Sequence, residues 1–166
     1  MNLLGYIDNG GIIAYILVFM NVIGFAAMIL KFFEIRNAKL NLNQSAAEIR
    51  SFVPYELQDE LFLVVLNAEC DKFVNKLDNG MNLIKNIATI APLLGLLGTV
   101  LGVLQSFESI SVHGMSNPSF FSSGISIALI TTVAGLIVAI PHYIGYNYFA
   151  KELDSLEIEL RSKVVQ

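Results

Sequence analysis

Three long stretches without acidic or basic side chains limit most strongly how this sequence can fold. They cover residues 11–30, 86–107 and 121–147. A helix needs about 20 apolar residues to cross a bilayer, and each stretch reaches that length. Only 14% of the 166 residues are charged, whereas a soluble domain has about 25%. Three helices buried in a soluble bundle would therefore lack polar cover. The sequence predicts an all-α polytopic membrane protein with three transmembrane helices.

The placement of basic residues predicts the orientation of these helices. All ten Lys and Arg lie either between Lys31 and Lys85 or from Lys151 onward. Because Lys and Arg accumulate on the cytoplasmic side, we expect the N-terminus and the 108–120 loop outside and the C-terminus inside. The first stretch has no basic segment before it and is followed by Lys31, Phe32 and Phe33. It is therefore interpreted as a retained helix rather than a cleaved signal peptide.

The remaining segments, 31–85 and 148–166, are predicted to form helices on the inner side of a single domain, 1–166. Pro54 divides the first segment, apolar residues from Leu57 onward recur at helical spacing, and Asn79–Gly80 is the expected helix stop. The single cysteine, Cys70, is expected to be a packing residue. In the tail, one apolar stripe either rests on the same chain or joins a ring of identical subunits. The stripe comprises Leu153, Leu156, Leu160 and Val164.

Small residues recur every three or four positions in the second and third stretches. Lipid provides no hydrophobic drive between helices, so helices associate where small residues let their backbones approach. Two such faces either pack within one chain or jointly surround another helix, and the pattern leaves both interpretations open. The residues are Ala91, Gly95, Gly98, Thr99 and Gly102, then Gly124, Ala128, Thr131 or Thr132, Gly135 and Ala139.

Hydroxyl groups are the main polar groups expected inside these two stretches. At about 1.5 Å per residue, Thr99 lies about 12 Å and Thr132 about 15 Å below the outer ends of their helices. The two hydroxyls are therefore expected at similar depth, although each can instead bond the carbonyl four residues earlier. Ser126 and Thr131 add further hydroxyls. None of these groups holds a charge, so a proton-conducting assembly would need a titratable group from another chain.

Two motifs carry a resemblance to a known family. The runs APLLGLLGTVLGVLQSF (91–107) and GISIALITTVAGLIVAIPHYIGYN (124–147) resemble the second- and third-helix signatures of the ExbB/TolQ/MotA proton-channel family, nearest its ExbB branch. The resemblance implies a bacterial inner-membrane ring, a pentamer by family precedent, whose second and third helices enclose a pore. It also implies an ExbD/TolR-like single-span partner that supplies an essential Asp. Proton flow would then drive outer-membrane uptake through a TonB-like protein.

The same resemblance assigns roles to individual residues. Thr99 and Thr132 match pore-facing threonines, and with Ser126 and Thr131 they are predicted to line a proton path. Ile127 stands where ExbB and TolQ usually carry Glu, which leaves the choice among ExbB, TolQ and MotA subclasses open. A smooth wall against which the partner helix slides is predicted to consist of Ala91, Pro92, Gly95, Gly98, Gly102, Gly124, Ile127, Ala128, Gly135, Ala139 and Pro141.

Other functional classes remain as alternatives or are excluded. A membrane scaffold without ion flow is the main alternative from a different class. An intramembrane hydrolase using Ser126 and His142 is excluded within one chain, because the two residues lie about 24 Å apart along one helix. The pattern predicts no enzyme activity, cofactor, metal site or nucleic-acid partner, and membrane lipid is the expected surrounding.

Overall fold

Helices form all of the regular structure in the described residues of the computed structural model, which are 10–53, 59–115 and 118–165. We number them α1 (Gly11–Leu40), α2 (Leu42–Phe52), α3 (Asp59–Asp78), α4 (Met81–His113) and α5 (Ser119–Val165). Within the part of the chain that the structure describes, three segments are long and apolar enough to cross a membrane: α1, α4 and the Phe121–Val164 part of α5. The predicted all-α class with three candidate membrane helices is confirmed.

The helices are longer than the predicted spans. Residues 148–166 were predicted to form a cytoplasmic helix that extends the third span, and α5 continues for 47 residues through Pro141. Proline is tolerated in membrane helices because neighbouring groups satisfy the freed carbonyl. Residues 108–113, expected in the outer loop, belong to α4. The chain leaves α4 through Gly114 (φ 71), and the carbonyl of Pro118 accepts the first backbone bonds of α5.

The helix stop predicted at Asn79–Gly80 is present in the structure. Helix α3 ends at Asp78, and Gly80 adopts φ 94, a left-handed conformation that glycine takes without steric cost. The Lys31 ammonium, expected only as an orientation signal, is buried and donates to the Leu77 carbonyl at 3.0 Å. Pro54 and Leu57, like Asn117 in the outer loop, lie outside the described residues.

The chain divides into two compact units. The first unit combines the chain up to Ala26 with Leu83–Ile144, and the second combines Ala27–Asn82 with the chain from Gly145 onward. In the first unit, apolar side chains of α1, α4 and α5 form one buried cluster. It consists of Ile13, Leu17, Ile87, Ala91, Val138 and Ala139.

Helices α4 and α5 of the first unit meet through their glycines. A Cβ added at Gly102 would lie 2.4 Å from the Gly124 carbonyl oxygen, and a Cβ at Gly124 would lie 2.4 Å from the Gly102 carbonyl oxygen. A Cβ at Gly135 would lie 2.6 Å from the Ala91 carbonyl oxygen. These distances are shorter than real Cβ contacts, so backbone lies directly against backbone. Only residues without a side chain permit that approach.

The small residues, which were predicted to form a sliding wall for a partner helix, make this contact within the chain. Their faces are already covered inside the chain, so packing within one chain is the interpretation that the structure supports. The buried members are Ala91, Gly95, Gly98, Gly102, Gly124, Ala128, Gly135 and Ala139. Pro92, Ile127 and Pro141 are half-buried.

The second unit has its own core. The tail stripe is buried, with Leu156 and Leu160 at 0% exposure, and it packs on α2 and α3. Of the two interpretations of this stripe, contact with its own chain is the one the structure shows. The cluster contains Leu42, Ala46, Ile49, Val53, Leu66, Cys70, Leu156, Leu160 and Val164.

Polar contacts fix α5 on α2 and α3 at the edge of this core. Arg161 donates to Asn67 Oδ1 at 2.6 Å and to the carboxylates of Asp71 and Glu157. Lys163 donates to Asn43 Oδ1 at 2.6 Å. Burial raises the pKa of the Cys70 thiol. Because a raised thiol pKa leaves less reactive thiolate, the structure agrees with the expectation that Cys70 is a packing residue.

We expect Gly98→Ala to destabilise the first unit. The new Cβ would lie 2.2 Å from Thr131 Oγ1 and 2.4 Å from Thr131 Cβ, and overpacking of this kind costs about 1–3 kcal/mol. Thermal unfolding in detergent, followed by circular dichroism, should show a lower midpoint. Ser123→Ala, at an exposed position of α5, is the control. Equal midpoints for both variants would contradict close packing at Gly98.

We expect Leu160→Ala to weaken the second unit through the cavity it creates. Truncating a fully buried leucine costs about 2–5 kcal/mol. Ile158→Ala is the matched control, because Ile158 is 71% exposed on the same helix. Chemical denaturation of the detergent-solubilised protein measures both free energies of unfolding. A loss no larger for Leu160→Ala than for Ile158→Ala would show that the tail stripe does not stabilise the fold.

Candidate functional site

Two threonine hydroxyls join α4 and α5 within the uncharged part of the first unit. Thr99 Oγ1 lies 2.5 Å from Thr132 Oγ1, so they are direct hydrogen-bond partners. Gly95 and Gly135 bring the helices together here, since a Cβ at Gly95 would lie 3.4 Å from Gly135 Cα. The sequence predicted similar depth for the two hydroxyls, and the structure places them in contact.

Backbone carbonyls complete the hydrogen bonding of this threonine pair. The Ala128 carbonyl oxygen lies 3.1 Å from Thr132 Oγ1 and 3.3 Å from Thr99 Oγ1. The Gly95 carbonyl oxygen lies 3.3 Å from Thr99 Oγ1 and 3.4 Å from Thr132 Oγ1. The alternative bond to the carbonyl four residues earlier is therefore present as well. Each carbonyl serves both helices.

This arrangement allows two directions of hydrogen bonding. A hydroxyl has one proton to donate and lone pairs to accept. Thr99 can donate to Thr132 while Thr132 donates to Ala128, or Thr132 can donate to Thr99 while Thr99 donates to Gly95. Both residues are half-buried. The pair can relay or accept a hydrogen bond without carrying a charge.

Thr131 and Ser126 do not join this pair. Thr131 is fully buried, and its hydroxyl lies 2.9 Å from the Ile127 carbonyl oxygen and 3.1 Å from that of Ala128. Its side chain fills the space that Gly98 leaves open. Thr131 was predicted to line a proton path, and the structure places its hydroxyl against carbonyl oxygens of its own helix. Ser126 is exposed on α5.

Large aliphatic side chains form the outer surfaces of α4 and α5. Leu96 is 59% and Val100 59% exposed on α4, and Leu129 is 64% and Val133 56% exposed on α5. These positions were not predicted from the pattern of small residues. The signal was available, because a helix whose small residues face its neighbour presents its large ones elsewhere.

Ser106 and His142 are two further buried polar residues that the site assignment overlooked. Ser106 Oγ lies 2.9 Å from the Phe121 carbonyl oxygen and packs against Gly124. The spacing of Gly102 and Ser106, one helical turn apart on the small-residue face, was the available signal. The His142 side chain is completely buried.

His142 is held between α1 and α5 of the first unit. Its Nδ1 lies 2.7 Å from the Val138 carbonyl oxygen, so Nδ1–H donates to that carbonyl. Nε2 has no hydrogen-bond partner among the described residues and points at Gly24, where a Cβ would lie 2.0 Å away. The ring meets Phe25 edge-on at 5.1 Å. With Ser126 exposed and His142 enclosed, the exclusion of a hydrolase pair stands.

Known proteins share this sequence pattern. The chain is 36% identical over 109 residues to the "Biopolymer transport protein ExbB" of Aquifex aeolicus, a match covering 62% of this chain and 74% of that protein. It is 36% identical over 87 residues to the protein of the same name from Salmonella typhimurium, covering 52% and 36%. The protein of that name from Neisseria gonorrhoeae is 27% identical over 137 residues, covering 78% and 60%. The chain thus spans only part of these relatives.

The match to the family as a whole covers most of the chain. The model of the MotA/TolQ/ExbB proton channel family matches residues 36–162, which include the two motifs, the threonine pair and, except for Val164, the core of the second unit. The predicted resemblance is confirmed on this basis. The chain belongs to the MotA/TolQ/ExbB proton channel family.

Proposed function

We propose that this chain is an ExbB-like subunit of a proton-driven motor in the bacterial inner membrane. In this proposal it works with an ExbD/TolR-like partner and a TonB-like protein to energise outer-membrane uptake. The observation that carries the proposal is the Thr99–Thr132 contact at 2.5 Å. It supplies a polar position within a charge-free pair of helices in a chain of a proton channel family.

The second and third membrane spans lack charged side chains, and for this reason the proposal includes a partner protein. Residues 86–107 and 121–147 contain no Asp, Glu, Lys or Arg, and Ile127 occupies the position where ExbB and TolQ usually have Glu. Proton transport through a membrane normally uses ionisable side chains. A single-span partner with one Asp would supply that group, and the threonine pair would solvate its carboxyl group by donating or accepting hydrogen bonds.

The proposed arrangement is a ring of identical subunits, five by family precedent, with the partner helix in the middle. We place the membrane spans at 11–30, 86–107 and 121–147, the N-terminus in the periplasm and the C-terminus in the cytoplasm. The bias of Lys and Arg supports this orientation. Residues 31–85 and 148–166 would then be cytoplasmic, and 108–120 would contain the periplasmic connection.

The glycine contact changes how such a motor would move. Helices α4 and α5 are locked backbone to backbone, so the pair would move as one body past the partner helix. The partner would meet large aliphatic side chains and the threonine hydroxyls instead of bare glycine. One charge crossing 100 mV releases about 2.3 kcal/mol. That energy is sufficient to bias a step between two packed states of similar stability.

A non-conducting scaffold is the second candidate. The observation favouring it is that carbonyl oxygens of the same chain lie within hydrogen-bonding distance of both threonine hydroxyls, as packing alone would require. TolQ-like and MotA-like motors are further versions of the first candidate. The two tests below separate these possibilities.

We expect Thr99→Val to impair proton-driven uptake while leaving the fold and assembly intact. Valine preserves the shape of threonine and removes the hydroxyl, so the carboxyl group of the partner would lose a hydrogen-bonding group. Thr89→Val is the matched control, because Thr89 lies on the same helix and its exposed hydroxyl bonds the Lys85 carbonyl oxygen at 2.9 Å. Uptake in cells depending on this subunit measures the effect, with membrane levels compared. Full activity of Thr99→Val would favour the scaffold.

We expect this chain to co-purify with a single-span protein bearing one Asp in its membrane helix. Co-expression with ExbD-like, TolR-like and MotB-like candidates in turn, followed by affinity purification in detergent, identifies the partner and the subclass. An Asp→Asn variant of the partner should still bind but should not support uptake. Failure to retain any such candidate would contradict the proposed function.

A further inference from the structure

A pocket of about 340 Å³ lies on the second unit, between α1 and α5. Ile35 and Phe149 are 4% and 5% exposed and form its apolar floor, and Phe32 and Tyr148 are exposed at its sides. Tyr148 and Phe149 pack edge-to-face with ring centroids 5.5 Å apart. The floor therefore suits hydrocarbon, and the rim adds polar and charged groups.

The pocket begins where the apolar run of α1 ends. Counting from Leu30 at about 1.5 Å per residue, Phe32 lies about 3 Å and Arg36 about 9 Å beyond the run. The headgroup layer of a bilayer adds about 6 Å on each side of the hydrocarbon core. Side chains of a helix tilt toward its N-terminus, which for α1 is the direction of the apolar run. The Arg36 side chain is thereby directed back toward the level of lipid phosphates.

One cationic side chain at the rim of the pocket, that of Arg36, is available to bind an anionic group. Lys39 forms an ion pair with Glu152, so these two charges compensate each other. Arg36 is exposed and has neither an ion pair nor a hydrogen-bond partner among the residues that the structure describes. An unpaired guanidinium beside an apolar floor matches a molecule with a phosphate group attached to an acyl chain.

We propose that this pocket binds an anionic phospholipid, with an acyl chain on the Ile35–Phe149 floor and the phosphate at Arg36. Continuity with the apolar run of α1 favours lipid, because lipid is the molecule that surrounds that run. A free anion would make no use of the apolar floor. A zwitterionic lipid offers the same phosphate but carries an ammonium group that Arg36 repels. The proposal does not depend on proton conduction.

Native mass spectrometry of the delipidated full-length protein in detergent tests the proposal, with phosphatidylglycerol and phosphatidylcholine as probes. We expect phosphatidylglycerol to bind the unmodified protein about tenfold more tightly, the effect of one charge-assisted contact. Arg36→Gln should remove that difference, and Arg36→Lys should retain most of it because the charge remains. Arg50→Gln is the matched control, since Arg50 lies on α2 away from the pocket.

Each other outcome overturns the proposal. Equal binding of the two lipids, or an equal loss in Arg36→Gln and Arg50→Gln, would show that Arg36 does not select a headgroup. Displacement of the lipid by inorganic phosphate would indicate a plain anion site. Dissociation of an oligomer in Arg36→Gln would indicate that a second copy occupies the pocket. Circular dichroism verifies that each variant is folded, and Arg36→Lys keeps the test decisive if Arg36→Gln does not fold.

Discussion

The contact between the backbones of α4 and α5 is the interaction on which the first unit depends. In lipid, two apolar helices gain little by leaving one apolar surrounding for another, so they are held by close packing and by hydrogen bonds. A Cβ at Gly102 would lie 2.4 Å from the Gly124 carbonyl oxygen, and a Cβ at Gly124 would lie 2.4 Å from the Gly102 carbonyl oxygen. The threonine contact exists because the helices come this close. The helix propensity lost at each glycine, about 1 kcal/mol, is offset by this packing.

Sequence reasoning predicted the helices and the family well, because both depend on local patterns. Charge-free runs of sufficient length identify membrane helices, and Gly80 identifies the end of α3. The exact lengths were harder to predict. Nothing local at residues 147–148 distinguishes a helix that ends from one that continues. Helix α5 continues through Pro141 because of packing by neighbouring groups, and this packing depends on the three-dimensional structure.

The direction of the small-residue faces could not be derived from spacing. A face formed by Gly95, Gly98 and Gly102 looks the same whether the facing surface belongs to the same chain or to another one. The decisive fact is complementarity: Thr131 fills the space at Gly98, and Ser106 fills the space at Gly124. To predict which side chain fills the space at which glycine, the rotation and axial offset of both helices must be known. The spacing of residues in the sequence does not contain that information. Thr131 was predicted to line a proton path without knowledge of this fit between the helices.

The contact between Gly24 and His142 has an evolutionary consequence. The imidazole occupies the volume that any side chain at position 24 would need, with Nε2 only 2.0 Å from the site of a Cβ. The two positions therefore cannot vary independently. A homologue with alanine or a larger residue at position 24 should carry a residue smaller than histidine at position 142. A homologue with histidine at position 142 should carry glycine at position 24. Covariation between α1 and α5 should be strongest at this pair.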